Sequence, residues 1–420
     1  MLEARLASEK DLETVKEIWN YCFGDTEKFT TYYFRNRYIK ENNVVVENNG
    51  KILSSLQLSP YKLCLNGKTY NTSYVVGVST LPDARGKGCM KAMINFSLQE
   101  LYRRGELVSI LMPIDYRIYG RYGFENCYDV LKYEMDVDEL RNFKMKGDFH
   151  KYAEGDIDKL IELSEIFQKH ANGYTIRDES YFKNLVGEIE SDETDLYILD
   201  SGRADGYLIY KISDGVMNVR EIMYRNMEAL KSIMGFIYNH NTQCKKVEIT
   251  APVYDKLIHF LENPRDIDIK LEPFITGRVI DVKGYLESIT IEDKSFKGSV
   301  IIVITDNQIY ENNGVFEIKA EAGRLIVEKL KYMSKEDLIA KLEDTNSYED
   351  TIGLGDIHNR DKDAEVLKFT INMFSKLAFS YRDIIEILYL MGYEADDNRN
   401  IVKFFKTVFP KKINFFNDYI

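Results

Sequence analysis

The stretch of this 420-residue chain with the clearest chemical content is Val76-Gly77-Val78-Ser79-Thr80-Leu81-Pro82-Asp83-Ala84-Arg85-Gly86-Lys87-Gly88-Cys89-Met90. An apolar strand feeds a basic, glycine-containing loop that opens a helix. This puts unpaired backbone N–H groups and the positive end of the helix dipole at one point, which suits a phosphate group. Gly86 and Gly88 let the backbone approach phosphate oxygens without a Cβ in the way, while Arg85 and Lys87 add countercharge. The loop lacks the G-K-[ST] ending of a P-loop and the G-x-G-x-x-G of a dinucleotide fold, so both readings are dropped.

About 30 residues later comes Ile118-Tyr119-Gly120-Arg121-Tyr122-Gly123-Phe124, a cluster of phenols and glycines behind an apolar strand that stops at Pro113. Tyr116, Tyr119 and Tyr122 are near one another in sequence, and a phenol can donate a proton. The five cysteines (Cys22, Cys64, Cys89, Cys127, Cys244) form no C-x-x-C pair, and of the five histidines only His240 lies near one of them, four residues before Cys244. No metal site is expected.

The elements that must position these groups can be read from periodicity. Ser8 and Asp11 cap an amphipathic run through Leu12, Val15, Ile18, Trp19 and Cys22, and the first 40 residues read as helical. Strand-like pieces at 44–47 and 51–58 flank Asn48-Asn49-Gly50, a hairpin signal. A strand at 74–79, the loop, a helix at about 89–104 and an apolar strand at 107–112 follow. A similar order recurs: an acidic-capped helix at 156–167, Tyr181-Phe182-Lys183-Asn184 echoing Tyr33-Phe34-Arg35-Asn36, and a second hairpin at 197–210. Then come a strand at 219–224, a helix at 227–238 and a strand at 246–250, without the glycine-rich loop. From Pro273, a short helix beginning at Arg278 precedes strands at 299–305, 308–310, 314–320 and 325–330, and helices dominate from Lys335 onward. The expected fold class is α+β, with domains at 1–150, 151–275 and 276–420.

Composition excludes several classes of function. Fifty-three aromatic residues are too many for a disordered chain, and no 18-residue apolar run marks a membrane span. Residues 1–19 carry charges throughout and lack a secretory h-region, so a cytoplasmic location is expected. The net charge of −12 is uneven, at +1 over residues 1–150 and −13 over the rest. A near-neutral first domain tolerates a polyanionic ligand. The acidic remainder disfavours nucleic acid and favours cationic partners.

The strand, R-x-x-G-x-G/A loop, helix, strand and Y-x-x-x-G-F order resembles the GNAT acetyltransferases. Arg85-x-x-Gly88-x-Met90 matches that loop except at its last position, where Met90 replaces a small residue. The whole chain resembles the enhanced-intracellular-survival (Eis) family: a GNAT domain, a second GNAT-like domain without the cofactor loop, and a C-terminal domain similar to sterol carrier proteins. The large residue after the loop glycine, the Y-G-R-[FY]-G-[FY] stretch at Tyr119 to Phe124 and the R-[IV]-[IV]-D-V element at Arg278 to Val282 carry this resemblance. It implies acetyl-CoA as co-substrate, with Val78, Ser79 and Thr80 along the pantetheine arm. Arg85, Gly86, Lys87, Gly88, Cys89, Met90 and Lys91 would lie at the pyrophosphate, and Ile114 and Asp115 on the cofactor's other side. It also implies Tyr119 as general acid, the terminal carboxylate of Ile420 as base, a cationic amine such as an aminoglycoside as acceptor, and a hexamer. Acidic and aromatic residues of the first helical region, Asp25, Glu27, Tyr32 and Tyr33, could flank such an amine. Polyamine or protein-lysine acetylation, or acyl-CoA or lipid binding without catalysis, are the alternatives.

Overall fold

A computed structural model describes residues 1–332, 366–394 and 399–419 of the chain. Residues 333–365, 395–398 and Ile420 lie outside the described residues, and so does much of the expected helical stretch after Lys335.

The described strands form two sheets, one of thirteen strands and one of four. The first half of the large sheet contains the strands Leu2–Leu6, Asn43–Asn48, Lys51–Leu65, Lys68–Thr80 and Val108–Leu111, side by side in that order. The strand Leu2–Leu6 corrects the expectation of an all-helical start. Its five residues pair in register with Val44 to Asn48, and the helical period begins only after it, at Asp11. Asp11 is the expected cap: its carboxylate accepts from the Ser8 amide at 2.7 Å and from Arg5 at 2.7 Å. Helix Cys89–Arg103 then carries the chain to strand Val108–Leu111, which pairs parallel to Lys68–Thr80.

The second half repeats this pattern. Strands Asp195–Asp200, Ala204–Ser213 and Val216–Tyr224 are followed by helix Met227–Tyr238 and by strand Lys246–Pro252, again parallel to its predecessor. Asp156 plays the part of Asp11, accepting from the Ala153 amide at 3.0 Å. The two echoing helices, Glu27–Asn36 and Glu179–Ser191, lie against each other, with the Tyr32 hydroxyl donating to the Asn184 carbonyl at 2.8 Å.

The halves are joined by exchanged strands. Glu125–Asp136, which follows the first half, pairs with Lys246–Pro252 of the second. Asp268–Val279, which follows the second half, returns to lie between Val108–Leu111 and Glu125–Asp136. Arg278 therefore ends a strand, and the helix expected there begins at Val282, capped by Asp281. The smaller sheet runs in the order Arg324–Tyr332, Gly314–Glu321, Gly298–Thr305, Val366–Thr370, and its core is continuous with that of the first half.

The small sheet is tied to the large one by a fully buried ion pair. The Arg278 guanidinium reaches both oxygens of Asp306, at 2.8 and 3.0 Å. Asp306 also accepts from the amides of Gln308 and Ile309 and from Asn312. Removing one partner of such a pair strands the other charge in a low-dielectric interior. Asp306→Ala is expected to cost about 3–5 kcal/mol of stability, read as a lowered denaturant midpoint.

Candidate active site

Strand Lys68–Thr80 changes register against Lys51–Leu65 where Val76 pairs with Gln57 and Ser79 with Ser55. Gly77 sits in this bulge with φ +62°, and a Cβ there would come within 2.4 Å of the Trp19 ring. Only glycine satisfies both constraints. The parallel pairing with Val108–Leu111 ends at Val75 and Leu111, so residues 76–80 continue past the end of that neighbouring strand.

After Thr80 the chain enters the basic loop. Arg85, Gly86, Lys87 and Gly88 are all exposed. Gly86 and Gly88 have φ +74° and +89°, and the space where a Cβ would project is open at Gly86 and bounded only by Leu2 at Gly88. No side chain caps the helix that starts at Cys89, so its first-turn amides remain available to an incoming anion. The corresponding helix of the second half is closed off: the Asn226 side chain accepts from the Ala229 amide at 3.0 Å. Cys89 is buried, Met90 is half-buried beside the first-half core, and Lys91 is exposed.

The remaining expected residues are placed as follows. Ser79 is buried and donates to the Ser55 carbonyl at 3.2 Å, while Thr80 accepts at its carbonyl from Arg85 at 3.3 Å. Val78 is half-buried. Ile114, a residue type usually found in cores, is 89% exposed past the end of strand Val108–Leu111, so packing does not account for it. Asp115 caps the next helix and pairs with Arg117, which holds its carboxyl below the usual carboxylate range.

Tyr119 ends the four-residue helix Tyr116–Tyr119 and is buried in the first-half core. Its hydroxyl makes no hydrogen bond to any described residue, and burial pushes its pKa up to about 12. Tyr122 is raised by burial too, and the Tyr116 hydroxyl donates to Asn126 at 3.3 Å. The turn after Tyr119 is held from the C-terminal segment. Asn372 donates to the Gly120 carbonyl at 2.8 Å, Gln308 donates to the Arg121 carbonyl at 3.2 Å, and Gly123 is seated against Arg278 and Ile371.

The chain's last described residues run between the two halves. Phe416 packs against Tyr61, Tyr74 and Tyr128, whereas Phe415 enters the second-half core. Asn417 donates to the Arg220 carbonyl at 2.9 Å, and Asp418 accepts from Thr175 at 2.6 Å and from Tyr181. Arg220 donates to the Tyr419 carbonyl at 3.1 Å. Ile420 itself lies outside the described residues.

Beside Tyr419 opens a cleft of about 210 Å³ lined by Asp25, Thr26, Phe29, Glu188, Asp192, Arg220 and Tyr419. Asp25 accepts from the Trp19 indole at 2.9 Å, and Trp19 rests on Gly77, so the cleft adjoins the strand bulge through one side chain. Of the four residues expected around an amine, Asp25 lines this cleft. Glu27 is exposed, Tyr32 bonds to Asn184, and Tyr33 is buried in a stack with Trp19 at 4.4 Å. Glu188 and Arg220 come from the second half and carry no local motif. The structure also brings His150, Asp156 and Asp200 together, but the Lys159 ammonium already pairs with both carboxylates.

Residues 3–127 match an Acetyltransferase (GNAT) domain model, and residues 173–279 match a second model of the same description. Both halves of the large sheet are GNAT-like domains, and the chain is an acyltransferase. A Streptomyces avermitilis uncharacterized N-acetyltransferase is 22% identical over 283 residues, which is 61% of this chain and 67% of that one. A probable N-acyltransferase from Enterococcus faecalis superposes with a TM-score of 0.80 at 18% identity. Eis1 from Mycobacterium abscessus does so with 0.69 at 14%. Each of these two structures is matched over 100% of both chains, and at such identities the likeness is one of fold. Among the described residues of the acyltransferase, no helix is long and apolar enough to cross a membrane.

One consequence for the acyltransferase concerns stoichiometry. Gly88→Asp would place a side chain and a negative charge at the uncapped helix end. Calorimetry is expected to give one acyl-CoA site per wild-type chain and none in this variant. Two sites per chain, or unaltered binding by the variant, would remove the loop from the site.

Proposed function

We propose that this acyltransferase moves an acetyl group from acetyl-CoA to a primary amine of a cationic acceptor, an aminoglycoside being one such molecule. The observation that carries this reading is the exposed Arg85–Gly88 loop on an uncapped helix end, reached just past the point where the parallel pairing of its strand with Val108–Leu111 stops. The loop amides with Arg85 and Lys87 would hold the pyrophosphate, and the backbone of Val78, Ser79 and Thr80 would pair the pantetheine amides. One of those N–H groups would polarise the thioester carbonyl. Ile114 and Asp115 would flank the cofactor on its far side.

Acetyl transfer needs a neutral amine, and an alkylamine with a pKa of roughly 10.4 must lose a proton to a base. The terminal carboxylate of Ile420 is proposed as that base, one residue beyond Tyr419 at the cleft. The amine nitrogen then bonds to the carbonyl carbon, the C–S bond breaks, and the thiolate leaves towards Tyr119. With a pKa near 12, Tyr119 keeps its proton at neutral pH and serves the sulfur as a hydrogen-bond donor. Complete transfer to a thiolate whose conjugate acid has a pKa of about 8.5 is uphill, so the proton removed from the amine ultimately neutralises the thiolate.

The likeness in fold to Eis1 over the whole chain supports membership of the Eis family. A C-terminal domain akin to sterol carrier proteins, a hexamer and a cytoplasmic location are part of the same proposal, as what the sequence resemblance implies. The test is release of free CoA thiol on adding aminoglycosides, polyamines or lysine peptides. Amine-dependent release identifies the acceptor class. Tight acetyl-CoA binding without release for any amine would favour an acyl-CoA sensor or lipid carrier, and a hydrodynamic mass of a single chain would overturn the hexamer.

A further inference from the structure

A second cavity, of about 360 Å³, opens between the two GNAT-like domains and shares no lining residue with the cleft beside Tyr419. Its walls come from the end of helix Glu27–Asn36, from strands Lys51–Leu65 and Lys68–Thr80, and from residues 175–184 of the second domain. Arg37, which ends that helix, lines the cavity with most of its donors unused. One of its five N–H groups donates to the Tyr61 hydroxyl at 3.3 Å. The other four find no acceptor, and the guanidinium no carboxylate, among the described residues. A half-buried guanidinium left in this state is costly, and a bound anion would supply the missing acceptors.

The other charged groups of the cavity are already answered. Lys62 pairs with Asp178 at 2.9 Å, and Arg104 is bound by Glu100 at 2.8 Å and by Asn42 at 2.7 Å. Glu106 accepts from Ser73 at 2.8 Å through Oε1, its Oε2 is buried without a partner among the described residues, and burial pushes this carboxyl up. The neutral form is thereby favoured, so Glu106 leaves the charge of Arg37 uncancelled. Pro60, Tyr61, Ile176 and Tyr181 add apolar and aromatic wall. The volume is that of about twelve water molecules, room for a carboxylate with a ring attached. Two of these walls also touch the chain's tail: the Tyr61 ring packs on Phe416, and the Tyr181 hydroxyl donates to Asp418.

We propose that this cavity is an effector site for a small organic carboxylate with an apolar body, held by Arg37, and that its occupant restrains the C-terminal tail through Tyr61 and Tyr181. A ligand against both phenols limits their motion, and with it the excursions of Phe416 and Asp418. By linkage, a tail in place favours the carboxylate by the same factor. The ligand touches none of the residues assigned to the cofactor. Only its bearing on turnover rests on the acetyl-transfer reading, which puts the base one residue past Tyr419.

The probes are benzoate and 3-phenylpropionate, with benzyl alcohol as the neutral counterpart and inorganic phosphate as an anion without an apolar body. Calorimetry should show at least one of the two carboxylates binding about 10-fold or more tightly than benzyl alcohol and phosphate. Arg37→Met keeps an apolar stem without the charge and should weaken that binding about 10-fold or more. Arg37→Lys keeps the charge and should retain part of the affinity, which separates lost charge from a damaged fold. Gly88→Asp should bind the carboxylate as the wild type does, because the phosphate-type loop is a different site. Hydrogen exchange over residues 414–419 should slow about fivefold or more in the saturated wild type and stay unchanged in Arg37→Met. No carboxylate binding, binding that survives Arg37→Met or is lost in Gly88→Asp, or equal binding of benzyl alcohol or phosphate would overturn the site. Binding with unaltered exchange in the tail would overturn the restraint. None of these readouts needs CoA release, so a failure of acetyl transfer and a failure of this site are told apart.

Discussion

Tyr119→Phe is expected to leave acetyl-CoA affinity within about twofold and to lower kcat by roughly 10²- to 10³-fold, the usual range for removing a hydrogen-bond donor to charge that develops in the transition state. The substitution removes one oxygen from a side chain that packs into the core through its ring, so melting temperature should change little. Tyr122→Phe is the control, because Tyr122 is also buried and its pKa is also raised. If the loss appears there instead, the wrong phenol has been assigned. The hydrogen bonds to the turn carry a corollary. Asn372→Ala removes the donor to Gly120 and should lower kcat about 10-fold by loosening the segment that aims Tyr119. In the Tyr119→Phe background that loss should vanish, since no hydroxyl remains to be aimed. An equal loss in both backgrounds would make Asn372 merely structural.

Extending the chain beyond Ile420 by a short tag is expected to depress turnover strongly while folding and acetyl-CoA binding survive. A peptide bond at that position turns the carboxylate into a neutral amide, which cannot take the amine's proton at neutral pH. The tail before it leaves little slack. Asp418 is 4% exposed and bound by Thr175 and Tyr181, and the Tyr419 carbonyl is gripped by Arg220. Deleting Ile420 moves the carboxylate to Tyr419, displaced by up to about 3.5 Å and placed directly against Arg220. That charge pairing would lower its basicity, so the deletion should also be slow. Calorimetry and thermal melting separate these losses from unfolding. A tagged protein as active as the untagged one would return the search to acidic side chains. Asp25 is then the stronger candidate, because Asp115 is already paired with Arg117.

The sequence by itself determined what near neighbours decide. Asp11 caps its helix from three residues away, Asn49-Gly50 turns a hairpin, and Arg85 to Gly88 meets a helix start, all within a few residues. The phosphate-type loop and the repeated strand, helix, strand order were legible for that reason. The tertiary structure decided which distant segments meet. Strand periodicity shows that residues 268–279 have a face to bury but does not name Val108–Leu111 and Glu125–Asp136 as the neighbours. Nor does any local pattern distinguish Glu188, Arg220, Gln308 or Asn372 from ordinary surface polar residues. Their roles arise from contacts made across 32 to 252 positions of chain, between Glu188 and Arg220 at the near extreme and between Asn372 and Gly120 at the far one. Helix caps and turns are fixed by hydrogen bonds within a few residues. Strand exchange and tail burial are fixed by which apolar faces can cover one another, a property of the assembled chain.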